Sequence, residues 1–266
     1  MTDAPFFSVI VPTHVRPLLL ARALQSLRAQ TFAHFETIVV ADALDEASAA
    51  VVARLIGPSD TFIKRSGAPG PAASRNLGLD LARGAWVVFL DDDDRFEPHH
   101  LQTLRAHVAR IPDALALFSD CDVATEDRLQ AGMPELSRQT LALTSRDTFG
   151  LWIKNFIPNH ALAYRRSAID GCRFDPHLAS HEDWDFLLAV CTRAMPEPYA
   201  GGGAVMYKDF QNPGLRRGTQ QAANDSTVIL DYLHIYRRWP APTAELKAQR
   251  QTLLKGAGLN LPVEWF

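Results

Sequence analysis

Four consecutive aspartates, Asp91 to Asp94, follow directly on the apolar run Trp86-Val87-Val88-Phe89-Leu90. That run is rich in β-forming residues and reads as a buried strand, so the acids begin where the chain should leave a sheet. Four like charges in a row repel one another and need a compensating partner. A divalent cation such as Mg²⁺ or Mn²⁺, which favours carboxylate oxygens, is the most economical one. The end of a parallel strand is also where open α/β sheets bind ligands. A solvated acidic turn is the other reading, and the surrounding sequence has to decide between them.

Segments on either side alternate in period. Phe6–Val11 and Phe35–Val40 are compact apolar strands, the first closed by Pro12-Thr13 and the second ending at Asp42. Between them, Leu20, Leu24 and Leu27 mark one face of a helix over 17–30. A helix at about 45–56, a short strand at Thr61–Ile63 and a helix opened by Gly70-Pro71 and ending near Gly84 come next. After the strand Trp86–Leu90 come a helix over 98–111 and a strand at Ala114–Phe118. This alternation predicts an α/β fold: a mostly parallel sheet with helices on both faces. Residues 126–147 are polar and poorly periodic and read as a long excursion with little regular structure. Ala161–Tyr164 reads as a short strand and Trp184–Arg193 as a helix. Residues 201–220, with three successive glycines, Asn212-Pro213-Gly214 and Arg216-Arg217, have the composition of a mobile loop. Helix returns from about 221 to 255.

Composition narrows the function classes. At 266 residues and 47% hydrophobic, the chain can build a full core. A formal net charge of -3 gives no electrostatic reason to expect nucleic acid or an anionic membrane as partner. Cys121, Cys172 and Cys191 are widely spaced without a CxxC pair, which suits a reducing compartment. The N-terminus lacks the pattern of a signal peptide, and no stretch has the length of a membrane span. A cytoplasmic address is expected.

Taken in order, SVIVPTHVRP, ETIVVAD, ASRNLG, WVVFLDDDD and FDPHLASHEDWDF resemble the family 2 glycosyltransferases, nucleotide-sugar-dependent inverting enzymes with the GT-A fold. The resemblance covers roughly residues 6 to 210. It implies a nucleotide-sugar-binding and catalytic domain over 1–220 and a helical C-terminal extension over 221–266. The implied donor is a nucleoside-diphosphate sugar, with UDP favoured because it is common in the family. The implied acceptor is a hydroxyl on a glycan, a lipid-linked saccharide or a small molecule, with peripheral membrane association possible for a lipid-linked one.

The resemblance also assigns roles. Its Asp-x-Asp motif maps onto Asp91-Asp92-Asp93, with Asp93 as metal ligand for Mn²⁺ or Mg²⁺. Asp91 or Asp92 would face the ribose or the second metal position, with Asp94 a helper outside. Pro12, Thr13 and His14 fall at the nucleoside pocket, and Asp42 at the position that accepts from the base edge. Ala41 and Ala43-Leu44 depart from the family pattern there, and Asp42 could instead cap the following helix. Arg75 falls beside the nucleotide, to pair with phosphate or with the acids, while Asn76 and Gly78 suit helix packing. Asp183, in His181-Glu182-Asp183-Trp184, matches the base that takes the acceptor proton, with Glu182 and Trp184 shaping the acceptor site. Helix-start acids would look the same.

Asn159, His160, Lys208, Arg216 and Arg217 are lesser candidates, and His99-His100 reads as surface. Two other functions stay open. One is a non-catalytic nucleotide or sugar binder on the same fold. The other is an aspartyl phosphatase, which also uses Asp-x-Asp after a strand but usually after the first one.

Overall fold

In the computed structural model, which describes residues 4–211 and 225–266, strand and helix alternate from the start. β1 (Phe7–His14), α1 (Pro17–Arg28), β2 (Phe35–Ala43), α2 (Glu46–Leu55), β3 (Thr61–Lys64), α3 (Pro71–Leu81) and β4 (Trp86–Phe89) follow one another. β1, β2 and β4 are almost continuously buried, the mark of strands covered on both faces. β1 pairs in parallel with β2 on one side and with β4 on the other, and β3 extends the sheet beyond β2. The order β3-β2-β1-β4 reverses direction at β1. Right-handed crossovers therefore put α1 and α2 on one face and α3 on the other. A crevice opens at the carboxyl ends of β1 and β4, where that reversal occurs. His14 and the acidic run lie at those ends.

Local chemistry sets these elements. Pro17 opens α1, and Leu20, Leu24 and Leu27 form its buried face. Asp45 caps α2, its side chain accepting the Ser48 N–H at 2.8 Å. Asp42 is therefore not needed as a cap.

The second half is mixed in direction. It comprises β5 (Arg95–Phe96), α4 (His100–Arg110), β6 (Ala116–Glu126), β7 (Glu135–Leu141), β8 (Leu162–Arg165), α5 (Glu182–Cys191) and β9 (Glu197–Asp209). β8 runs antiparallel between β4 and β6, and β9 runs parallel to β6. β5 pairs antiparallel with β9, and β7 with the far end of β6. The α/β sheet is thus parallel across β3-β2-β1-β4 and mixed beyond β4.

Three expectations are corrected here. Residues 126–147 are not irregular throughout: they contain β7, and β6 itself runs past Phe118 to Glu126. β7 is exposed along almost its whole length, so pairing with β6 fixes it and no apolar alternation announces it. Gly201–Gly203 belong to β9 and not to a loop. A Cβ on Gly202 would meet Ser119 Oγ at 1.9 Å, so glycine is what lets β9 close on β6. The remainder of that expected loop, 212–220 with Arg216 and Arg217, lies outside the described residues. His100 is buried and not on the surface, stacked on Phe96 with centroids 4.0 Å apart. Its Nδ1 accepts the Gly203 N–H at 3.0 Å, and burial pulls the imidazole down to about 3. It is neutral at ordinary pH, as an acceptor must be.

α6 (Asp225–Arg238) packs against α5, and α7 (Ala244–Gly256) packs on α6 through Arg250, which donates to the Trp239 carbonyl at 2.8 Å and lies over the Tyr236 ring. The Trp184 ring meets Tyr232 and Tyr236 edge-on at 5.0 and 5.9 Å. Arg238 and the Trp239 indole donate to Asp185 at 2.7 and 2.8 Å. Tyr232, Ile235, Tyr236 and Leu254 share one hydrophobic cluster with the sheet. Among the described residues, no helix is long and apolar enough to cross a membrane.

Gly78 shows how closely α3 lies on the sheet: a Cβ there would meet Ile10 Cγ2 at 2.4 Å. Gly78→Ala should cost roughly 1–3 kcal/mol through overpacking. The loss should appear as a lower urea midpoint at unchanged slope. An unchanged midpoint would mean that α3 is free to move off β1.

Candidate active site

The end of β1 meets the acidic run directly. Thr13 Oγ1 donates to Asp92 Oδ2 at 2.8 Å, and the His14 N–H reaches the same oxygen at 3.3 Å. Asp92 is fully buried by this arrangement. It fastens the acidic turn to β1, so that of the two acids expected to face the ribose or the second metal position, Asp92 is removed and Asp91 is left. Pro12 is likewise buried in the sheet, in register with Val40, and contributes no side chain to the cleft.

The other three acids converge. One carboxylate oxygen from each of Asp91, Asp93 and Asp94 lies within 4.8 Å of the others. Asp94 thus joins Asp91 and Asp93, where sequence had left it outside. A hydrogen bond from the Asp94 N–H to the Asp91 carbonyl, 3.0 Å, closes the turn. An all-carboxylate donor set of this kind fits Mg²⁺ or Mn²⁺ and not a softer metal. Behind it, Asp94 accepts the Tyr207 N–H at 2.9 Å and faces His160 Nδ1 at 3.2 Å. Burial alone would depress the His160 imidazole, but the Asp94 charge prevails and lifts it to about 10. His160 is therefore buried beneath the acids as the partner of Asp94 and not a surface contact for substrate.

Arginines surround the cluster. Arg16 Nη1 and Arg128 Nη1 each stand 3.5 Å from Asp93 Oδ2. Arg22 donates to the Asp93 carbonyl at 2.6 Å and pairs with Glu126, a fully buried acid at the end of β6. Val15, just before Arg16, has φ 43°, an unusual conformation for a β-branched residue and a mark of local strain.

Asp42 is engaged on both oxygens. His14 Nδ1 lies 2.6 Å from Oδ1, and the Gly70 N–H donates to Oδ2 at 2.7 Å. Arg65 Nη2 is 3.6 Å away. Asp42 so ties β1, β2 and the start of α3 together, with half-buried His14 at its edge.

Arg75 links this end of the sheet to α5. Its nearly buried guanidinium donates to Asp91 Oδ1 at 2.8 Å and to Glu182 Oε1 at 2.7 Å. Asn76 exchanges two 2.8 Å hydrogen bonds with the Phe174 backbone, pinning the segment that leads to α5. His181 then turns through a left-handed conformation, φ 62°, so that Glu182 and Asp183 open the helix, where the dipole favours acids. Burial, and then the neighbouring Glu182 charge, push the Asp183 carboxyl up to about 6, against the pull of Arg75. Trp184 is corrected: it is fully buried, its indole N–H donating to the Leu151 carbonyl at 2.7 Å, so it belongs to the core and not to an acceptor surface.

Sequence reading did not single out Arg16, Arg22, Glu126 or Arg128. Arg16 lies inside the segment SVIVPTHVRP but was given no role there. Glu126 and Arg128 lie in the stretch whose polar composition hid the end of β6, so no pattern pointed to them.

Comparisons with known proteins give a consistent answer. Residues 8–172 match the model of glycosyl transferase family 2. The chain is 26% identical over 240 residues to the putative colanic acid biosynthesis glycosyl transferase WcaA of Escherichia coli (strain K12), covering 90% of this chain and 82% of that protein. It is 29% identical over 235 residues to the GalNAc(5)-diNAcBac-PP-undecaprenol β-1,3-glucosyltransferase of Campylobacter jejuni, covering 87% and 73%. Among solved structures, S. aureus TarS 1-349 in complex with UDP-GlcNAc shares the fold, with TM-score 0.68 at 18% identity over 93% of this chain and 71% of that one.

The raised Asp183 pKa has a consequence for stability. A carboxyl that binds its proton more tightly when folded makes the protein less stable as pH rises from the unfolded value of 3.8 through about 6. Asp183→Asn removes that burden. The variant should melt above the unmodified protein at pH 8, and the gap should shrink toward pH 4. A variant that melts lower at pH 8 would show that the Asp183 carboxylate supports the fold.

Proposed function

Because the chain belongs to glycosyl transferase family 2, we propose that it moves a sugar from a nucleoside diphosphate, UDP favoured, to an acceptor hydroxyl in one inverting displacement with Asp183 as base. That it is a glycosyltransferase follows from membership; the finer statements are ours. The observation that carries them is the Arg75 bridge, which holds the acid cluster at the end of β4 against the first turn of α5.

Asp91, Asp93 and Asp94 would hold Mg²⁺ or Mn²⁺, which supplies Lewis-acid stabilisation of the charge on the departing diphosphate. This chain's own residues do the rest. Asp183, titrating near 6, is ionised at neutral pH and still basic enough to accept a proton from a hydroxyl. The acceptor oxygen bonds to the anomeric carbon as that proton passes to Asp183, and the diphosphate leaves from the opposite face with the bonding pair. Arg75 keeps a fixed positive charge between the two acid groups. Asp42, with Thr13 and His14 at the end of β1, is our choice for the nucleoside side, and Glu182 for the acceptor side.

The activities of the relatives favour a saccharide acceptor, with a lipid-linked one in keeping with work at a membrane surface from the cytoplasm. We assign the site to residues 1–220 and treat 221–266 as a helical extension that supports α5. An aspartyl phosphatase is not compatible with family membership. A silent binder is separated from an enzyme by release of free sugar from the donor in the presence of Mn²⁺.

Asp183→Asn should lower kcat by roughly 10²–10⁴-fold, the usual contribution of general-base catalysis. Affinity for UDP with Mn²⁺ should stay near that of the unmodified protein, since a base acts on the transition state. In the unmodified enzyme kcat/KM should climb as pH rises through about 6 and level off above it, and the variant should lose this limb. Near-full transfer by the variant would end the assignment of Asp183. Asp93→Ala should abolish the difference in UDP affinity between Mn²⁺ and a chelator. Equal affinity in the two conditions for the unmodified protein would rule out the metal.

A further inference from the structure

The guanidiniums around the acid cluster are not held alike. Arg75 makes contacts of 2.7 and 2.8 Å, the length of charge-assisted hydrogen bonds. Arg22 is also committed: it pairs with buried Glu126, donates to the Asp93 carbonyl at 2.6 Å and lies 3.9 Å over the Tyr207 ring. Arg16 and Arg128 differ. Both reach the same oxygen, Asp93 Oδ2, and both stop at 3.5 Å. At that distance the attraction is mostly coulombic, with little hydrogen-bond character to lose.

The two are nevertheless aimed. Arg128 Nε donates to Glu126 Oε1 at 2.8 Å and its Nη2 to the Tyr207 carbonyl at 3.3 Å, which leaves Nη1 pointing to Asp93. Arg16 Nη1 hangs between Asp93 and Asp92, 3.6 Å from Asp92 Oδ1, and follows the strained Val15. Their side chains are 24% and 21% exposed, so both border the cleft.

Charge decides what they are for. Glu126 is shared by Arg22 and Arg128, so one unit of positive charge from that trio faces Asp93, and Arg16 adds another. A divalent cation on the acid cluster would repel both guanidiniums unless an anion arrived with it. On the reading of the preceding subsection, that anion is the donor's diphosphate. We propose that Arg16 and Arg128 are diphosphate ligands kept in place on Asp93: they neutralise it before a divalent cation binds and turn to the diphosphate when the cation takes over Asp93. The two arginines thereby couple cation and nucleotide, each favouring the other's binding.

The test is calorimetric titration of Mn²⁺ alone, and of UDP and GDP with saturating Mn²⁺, into the unmodified protein, Arg128→Ala and Arg16→Ala. Loss of either guanidinium removes a competitor from Asp93, so Mn²⁺ alone should bind several-fold more tightly. Loss of a charge-assisted phosphate contact should weaken whichever nucleotide binds by about tenfold. Opposite signs in one variant are what a merely structural arginine would not give. Arg16→Ala removes nothing from the Glu126 contacts, so it carries the test if Arg128→Ala fails to fold. Two weakened affinities, or two unchanged ones, overturn the proposal while leaving metal-assisted transfer intact. Absence of any Mn²⁺ effect on either nucleotide in the unmodified protein overturns both.

Discussion

The contact on which the site depends is the pair of hydrogen bonds from Arg75 to Asp91 and Glu182. The two carboxylates come from the end of a sheet strand and the start of a distant helix, and each would repel the other without a charge between them. A guanidinium suits this place because its rigid fork can serve two acids at once and it stays charged when buried. Its position is itself determined by α3, which Gly78 allows to lie on β1 and which Asn76 fastens to the Phe174 backbone. Removing the guanidinium would leave two half-buried acids facing each other uncompensated, and breaking such a pair costs more than the bridge contributes as a favourable term.

The same economy of charge runs through the cluster. Sequence reasoning saw four aspartates and asked for a cation. The structure answers first with protein groups: Arg75 on Asp91, Thr13 and a backbone N–H on Asp92, Arg16 and Arg128 near Asp93, His160 and Tyr207 on Asp94. Among the described residues, only Asp91, Asp93 and Asp94 keep oxygens close enough together to share an ion. The acids are thus sorted into one that braces the turn and three that can bind, a division that four identical letters cannot reveal. Strain gathers at the same place, in Val15 and His181, as is common where side chains must be aimed at a ligand.

What was legible in the sequence was whatever repeats with a structural period or stands at a strand end. β1, β2, β4 and α1 announce themselves by apolar runs and by Leu20, Leu24 and Leu27, and each marks one of the motif positions. The sheet beyond β4 was not legible, because β7 is exposed on both sides and β9 is interrupted by three glycines, of which Gly202 serves a close approach to Ser119. Glu126 and Arg128 vanished with that stretch. Trp184 and His100 were misread for a related reason. A large aromatic beside an acid pair and a histidine at a helix start look like surface features until their neighbours are known, and both are core residues with defined acceptor or donor partners.

The C-terminal helices carry no recognisable motif, yet the first turn of α5 depends on them. Asp231, on α6, accepts from both the N–H and the hydroxyl of Ser180, the residue before the left-handed turn at His181. Tyr232 packs against both His181 and Trp184, and Arg238 and Trp239 grip Asp185. Asp183 therefore lies in a six-residue stretch, Ser180 to Asp185, held from behind on either side of it, and its own Oδ1 accepts the Trp184 N–H at 2.7 Å. Such support needs complementary shape and a few matched polar groups, which many sequences can supply, so it leaves no compact signature. The end of β4 has to form a carboxylate cluster and is written in four adjacent letters. The start of α5 only has to be held steady, and that requirement is spread over residues some fifty positions apart.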